Sequence, residues 1–189
     1  MTVKEGKSIR DAIIPVTIRH LLTMTAGFNY DRSLERPAWR RARAASDGHC
    51  PTVQTVCFLA QEPLEYEPGE GWEYSFAHDI LAAVVEILSG QRFGEYVRDH
   101  VFAPLGMRHS TFDVSEIAEK DLCAQYRYSE ETHELINCGK EIQNGFRLGD
   151  LYESGGAGCC STAEDVMKLL ESLRKGEVLS PETVSALSG

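Results

Sequence analysis

The stretch from about residue 75 to residue 88 constrains the fold more than any other part of the chain. Phe76, Ile80, Leu81, Val84, Val85 and Leu88 recur at helical spacing, which places them along one face of an α-helix. Gly90 closes the pattern, because glycine readily takes the left-handed conformation that ends helices. Just upstream, Pro63, Pro68, Gly69 and Gly71 make residues 64–71 a turn-rich loop. A helix with this much apolar surface needs neighbours, and the rest of the sequence offers mostly helices. Residues 17–24 read as a short one, capped by Thr17, with Ile18, Leu21 and Leu22 on one face and Ala26-Gly27 as its stop. Residues 34–45 and 52–61 form two more, separated by Ser46-Asp47-Gly48 and Pro51. Residues 93–102 are amphipathic and end at Ala103-Pro104-Leu105-Gly106.

Strand signals are sparse. Residues 123–128 and 133–136 resemble two short strands around a polar Ser129-Glu130-Glu131 turn. Ser154-Gly155-Gly156-Ala157-Gly158 is a flexible stretch leading into another. Ser161-Thr162-Ala163-Glu164 then reads as a capping box, opening a helix with Val166, Leu169, Leu170 and Leu173 on its apolar face. Ser180-Pro181 starts a last helix that has barely begun when the sequence stops at Gly189. The pattern predicts a mainly α fold with a few short strands, in one truncated domain spanning residues 1–189.

The net charge of −10 argues against nucleic acid as a partner, since phosphate binding needs a basic footprint. Arg32, Arg36, Arg40, Arg41 and Arg43 are a local exception, read as a solvated helix face with Trp39 tucked beneath it. The six cysteines, Cys50, Cys57, Cys123, Cys138, Cys159 and Cys160, fit no zinc or C-x-x-C spacing. They read as buried reduced thiols, with Cys159-Cys160 in a strand, and lean towards a cytoplasmic home. The six histidines form no H-x-x-x-H or H-E-x-x-H pattern, so no metal is expected. No stretch is long and apolar enough to span a bilayer, and residues 1–10 are polar, without the apolar run of a signal peptide.

Four stretches carry a resemblance. They are Val16-Thr-Ile-Arg-His-Leu-Leu-Thr-Met-Thr-Ala-Gly-Phe28, Glu67-Pro-Gly-Glu-Gly-Trp-Glu-Tyr-Ser-Phe76, Val101-Phe-Ala-Pro-Leu-Gly-Met107 and Ser154-Gly-Gly-Ala-Gly-Cys-Cys-Ser-Thr-Ala-Glu-Asp165. Any one alone is weak; four in order resemble the family of class C β-lactamases, penicillin-binding proteins and their esterase relatives. That family brings three motifs to one cleft: S-x-x-K with the nucleophile, a tyrosine motif commonly Y-x-N, and K-T-G or H-x-G. The resemblance makes Tyr74-Ser75-Phe76 the second motif and places the first and third outside this chain. It implies the helical lobe of the β-lactamase/transpeptidase-like fold.

The resemblance gives Tyr74 a catalytic role. A phenol ordinarily titrates near pH 10, so it serves as a base only where its anion is stabilised. The helix starting beyond Tyr74 favours a nearby anion, and a lysine from the missing motif would push the same way. Tyr74 could then take the serine proton and return it to the leaving group. Phe76 departs from the family pattern: an asparagine there would position a substrate amide, and phenylalanine cannot, which favours an esterase or peptidase over a true β-lactamase. Trp72, Ser75, Phe76, Gly155 and Gly156 are expected to line the substrate cleft.

Two patterns imitate a nucleophile. Ser172-Leu-Arg-Lys175 matches S-x-x-K, but the helical pattern puts Ser172 on the polar face, towards water and away from any base. Ser75, His78 and Asp79 hold the ingredients of a triad, but residues so close on one helix cannot form the required line; Ser75 reads as a cap. The implied reaction is acyl transfer through an acyl-serine to water, on a small ester, amide or peptide, with no cofactor and no activity in this chain alone. The rival reading is a stand-alone, non-catalytic helical binding module. Truncation also predicts exposed apolar surface, through which the chain could dimerise.

Overall fold

A computed structural model of the chain describes residues 1–138 and 148–188. The chain opens on a hairpin of β1 (Thr2–Glu5) and β2 (Ser8–Asp11), paired antiparallel from Thr2↔Asp11 to Glu5↔Ser8. The polar character of residues 1–10 conceals it, because Val3 alone in β1 is buried. Val3 lies in a parallel bridge with Leu64, so the hairpin closes one end of the core.

Helix α1 (Ile18–Leu22) begins as the sequence predicts. Thr17 Oγ1 accepts from the His20 amide at 3.2 Å, and His20 Nδ1 accepts from the Thr17 amide at 3.3 Å, a reciprocal cap. Helix α2 (Pro37–Ala45) starts three residues after the expected 34. Proline disfavours helical geometry in the residue before it, and Arg36 is accordingly extended, at φ −51°, ψ 132°. Helix α3 covers Thr52–Leu59 and α4 covers Ala77–Ser89. Helix α5 (Phe93–Val97) continues as a π turn over Arg98–Phe102, within the single helix expected there. Strands β3 (Tyr126–Ser129) and β4 (Glu134–Asn137) pair antiparallel, shifted slightly from their expected bounds. Helices α6 (Ala163–Lys175) and α7 (Pro181–Ser188) end the described chain.

Helix α4 is the hub. Its Ala77 packs with Val3, Leu21, Met24, Phe28 and Leu64. Phe76, at its N-cap, packs with Ala38, Trp39 and Leu59. The Trp39 and Phe76 rings meet edge-on at 5.1 Å, a geometry worth about 0.5–1.5 kcal/mol beyond the area it buries. Arg36 departs from the expected solvated face: it is buried, its guanidinium 5.3 Å from the Trp39 ring and 5.4 Å from Phe76. Glu62 holds it there at 2.7 Å, because a buried cation must be paired. Gly27 is required where the loop after α1 turns under residues 64–66. Its φ is +85°, and a Cβ there would lie 2.4 Å from the Tyr66 carbonyl oxygen.

Four expectations need correction. The glycine run leads only to an isolated bridge between Thr111 and Cys160, not a strand. The cap of α6 is Thr162, which accepts from the Asp165 amide, one residue later than the expected box. Only Cys50 is buried among the six free cysteines. On α6 the buried residues are Asp165 and Ser172, while Val166, Met167 and Leu170 are 41%, 60% and 51% exposed. The helix rests on the side that carries the Asp165 clamp, described below, and Ser172 turns inward to donate to the Leu169 carbonyl at 2.8 Å.

Candidate active site

Tyr74 sits in the segment between the turn-rich loop and α4. Both its neighbours are tied to Met24: the Glu73 amide donates to the Met24 carbonyl at 3.1 Å, and Ser75 Oγ donates to Met24 Sδ at 3.5 Å. Met24 itself adopts φ +57°, a conformation uncommon for a non-glycine residue. Trp72 and Tyr74 are exposed, at 67% and 52%, while Ser75 is buried.

The Tyr74 ring meets Tyr30 edge-on at 4.9 Å, and Tyr30 leans on Phe76 at 4.6 Å. A stack thus runs from exposed Tyr74 through half-buried Tyr30 to buried Phe76, Trp39 and Arg36. Burial pushes the Tyr30 phenol up, and the neighbouring Tyr74 adds to the shift, so Tyr30 remains a neutral donor at physiological pH.

The glycine run reaches the same helix start. A Cβ on Gly155 would lie 2.3 Å from the His78 carbonyl oxygen and 2.9 Å from the Ala82 Cβ; only glycine fits against that turn. A Cβ on Gly156 would lie 3.2 Å from Asp79 Oδ2. Asp79 accepts from Tyr152 Oη at 2.7 Å and from the Ser154 hydroxyl.

Of the residues predicted for the site, Trp72 and Tyr74 are exposed side by side. Gly155 and Gly156 pack on the first turns of α4. Ser75 and Phe76 differ from the expectation of cleft lining: both are buried, Ser75 accepting from the Ala77 amide at 3.4 Å and Phe76 filling the core. Ser75, His78 and Asp79 form no triad, because Ser75 bonds to Met24 and Ala77 while Asp79 bonds to Tyr152 and Ser154. Ser172 is buried rather than facing water, and its hydroxyl donates to the Leu169 carbonyl. Tyr30 and Tyr152 escaped the sequence reading, since a lone tyrosine in a loop gives no periodic signal; Ser154 was read only as the start of the glycine stretch.

Elsewhere, a shallow cleft of about 310 Å³ includes Lys4, Asn29, Asp31, Arg36, Glu62 and Pro63 in its lining. Its cations are already spent, Lys4 on Glu65 and Arg36 on Glu62, and it includes none of the predicted site residues. Among the described residues, no group of three or more His, Cys, Asp or Glu is placed to hold a metal ion, and no helix is long and apolar enough to cross a membrane.

These features define a helical lobe with an exposed tyrosine at the head of its central helix, and that is a known class. The chain belongs to the β-lactamase family, whose model matches residues 10–189. It is 34% identical over 188 residues to the esterase EstB of Burkholderia gladioli, covering 90% of this chain and 47% of that protein. It is 30% identical to the monacolin J acid methylbutanoyltransferase of Aspergillus terreus, covering 91% of this chain and 41% of that protein. Among solved structures, a LovD6 mutant of the simvastatin synthase LovD from Aspergillus terreus superposes with a TM-score of 0.75 at 27% identity, covering 98% of this chain and 44% of that one. The fold is therefore of the β-lactamase/transpeptidase-like kind, and the homologues include esterases and acyltransferases of the serine-hydrolase kind. The chain spans less than half the length of each of these relatives.

Proposed function

We propose that this chain is the central, tyrosine-bearing part of a serine hydrolase acting by an acyl-serine mechanism on a small ester, amide or peptide. The observation that carries this reading is the placement of Tyr74, half-exposed and braced by Tyr30, at the head of a helix against which Gly155 and Gly156 pack. Tyr74 takes the proton from a serine supplied by another part of the protein, and passes it to the leaving group. Replacement of a polar residue by buried Phe76 removes an amide-binding group from the site and favours esters. The chain alone does not turn over, because its only S-x-x-K has a buried serine bonded to Leu169. The exposed Val166–Leu170 face of α6 is covered by the rest of the protein.

A second reading concerns the acyl acceptor. The methylbutanoyltransferase relative favours an alcohol competing with water for the acyl-enzyme.

The test is covalent labelling by a fluorophosphonate, read by intact mass, with turnover of a short nitrophenyl ester. The full-length protein should label outside residues 1–189 and turn over, and the 189-residue chain should do neither. An adduct on Ser75 or Ser172 would place the nucleophile here and overturn the reading.

A further inference from the structure

Asp79 is the third residue of α4 and lies five residues beyond Tyr74. It is 2% exposed. Among the described residues it makes no ion pair with a lysine or arginine; the groups acting on its charge are the hydroxyls of Ser154 and Tyr152, its own amide and His78. An acidic residue in the first turn of a helix commonly serves the helix itself. The bonds of Asp79 to other residues instead run outward, to Tyr152 Oη at 2.7 Å and to Ser154. Both of those residues are buried, at 3% and 5% exposure.

Ser154 passes the restraint on. Its Oγ accepts from the Ala157 amide at 3.1 Å, and its carbonyl accepts from the Gly158 amide at 2.9 Å. The carboxylate therefore anchors a turn whose outer residues, Gly156 and Ala157, are exposed. The two glycines allow close approach: Gly155 sits against His78 and Ala82, and Gly156 against Asp79 itself. A buried carboxylate without a cation is costly, and this one lies where the glycine segment meets the start of α4, five residues beyond Tyr74.

We propose that Asp79 is a positioning residue of the acyl-transfer site: by binding the Tyr152 and Ser154 hydroxyls it sets how closely the glycine segment 155–158 approaches the helix start that carries Tyr74. This rests on the reading of Tyr74 as the catalytic base. Asparagine at position 79 keeps the shape but has one acceptor oxygen for two hydroxyl donors, so the segment loosens without a cavity forming.

The test uses the full-length protein and the variants Asp79→Asn, Ser154→Ala and Tyr152→Phe, with Tyr74→Phe as control. Two quantities are read: amide hydrogen exchange at Ala157 and Gly158, and kcat and KM for a nitrophenyl ester. Asp79→Asn should speed exchange at both amides about tenfold and lower kcat by roughly ten- to a hundredfold with little change in KM, the mark of misplacement in the transition state. Ser154→Ala should reproduce both effects, and Tyr152→Phe part of them; these two decide the matter if Asp79→Asn does not fold. Unchanged exchange in folded variants overturns the proposal. So does faster exchange with wild-type kcat and KM while Tyr74→Phe is silent. Equal activity of wild type and Tyr74→Phe sinks the underlying reading of Tyr74 instead.

Discussion

Helices α4 and α6 are built alike and do different work. Each has thirteen residues, a buried aspartate at its third position and a terminating glycine at φ 72°. Asp165, on α6, is locked by Lys168 at 2.7 Å, the His109 amide at 2.7 Å and Ser110 at 3.1 Å. Burial would push its carboxyl up, but Lys168 and these donors outweigh burial and hold it below the usual range. Asp79, on α4, has hydroxyl partners and, among the described residues, no such cation, and burial leaves it above that range. The first arrangement is a clamp that fastens α6 to the loop before Phe112. The second tolerates an unfavourable charge beside the candidate site, where perturbed groups concentrate.

The sharpest way to break this contrast is at Tyr74. Tyr74→Phe in the full-length protein should lower kcat by about 10²- to 10⁴-fold, the usual contribution of a positioned acid–base, measured on a nitrophenyl ester. Full activity would reduce α4 to scaffold, like α6. Next comes Phe76→Ala, which empties the junction of Trp39, Tyr30 and Arg36 and should cost about 3–5 kcal/mol in urea denaturation. Gly155→Ala should cost about 1–3 kcal/mol, because the new methyl meets the His78 carbonyl and backbone must move; a neutral result would show that the glycine segment does not press on α4.

The sequence made the scaffold legible wherever a residue acts locally. The Thr17 cap and the Gly90 stop follow from local sequence, but the α4 stripe does not mark the buried face: Ala77, Asp79, Ala82 and Ala83 are buried, and Leu88 is 82% exposed. The family motifs singled out Tyr74 as the candidate, and the fold leaves its ring exposed. What stayed hidden depends on contacts distant along the chain. Val3 in a polar hairpin owes its burial to Leu64. Phe76 was expected to line a cleft, but Trp39, from another helix, takes it into the core. On α6 the hydrophobic stripe pointed to one face, yet Asp165 anchors another, and Ser172 is buried as a result. Asp79 was legible only as part of a triad that does not form, since its partners lie more than seventy residues downstream.

The two aspartates predict opposite pH dependences. Asp165 is depressed in the fold, so its contribution is present above the ordinary aspartate pKa and fades as pH falls towards the depressed value. Asp165→Asn should therefore cost most near pH 7 and least in acid. Asp79 is raised, so its contribution is full below the ordinary pKa and is lost as pH rises through the raised value. Asp79→Asn should cost most near pH 4 and least near pH 7. The groups facing Asp165 are Lys168, Ser110 and the His109 amide, and those facing Asp79 are Tyr152, Ser154 and His78. Urea midpoints of each variant against wild type at both pH values check the signs. Parallel trends would erase the distinction between clamp and positioning group.

The smallest expected effect separates the two helices most cleanly by surface. Leu170 projects from α6 at 51% exposure, and Met167 beside it at 60%. In the 189-residue chain, Leu170→Ser should change stability by less than about 0.5 kcal/mol, as surface substitutions do, while lessening any self-association through that face. In the full-length protein the same change should cost about 2–5 kcal/mol, the range for a buried leucine cut back, if the rest of the protein covers the helix. The difference between the two measurements, rather than either alone, reports what lies on α6. An equally small cost in both would mean that the stripe faces water in the complete protein, and that α6 is held by contacts such as its aspartate clamp and the packing of Leu169 on the Phe102–Met107–Phe112 cluster.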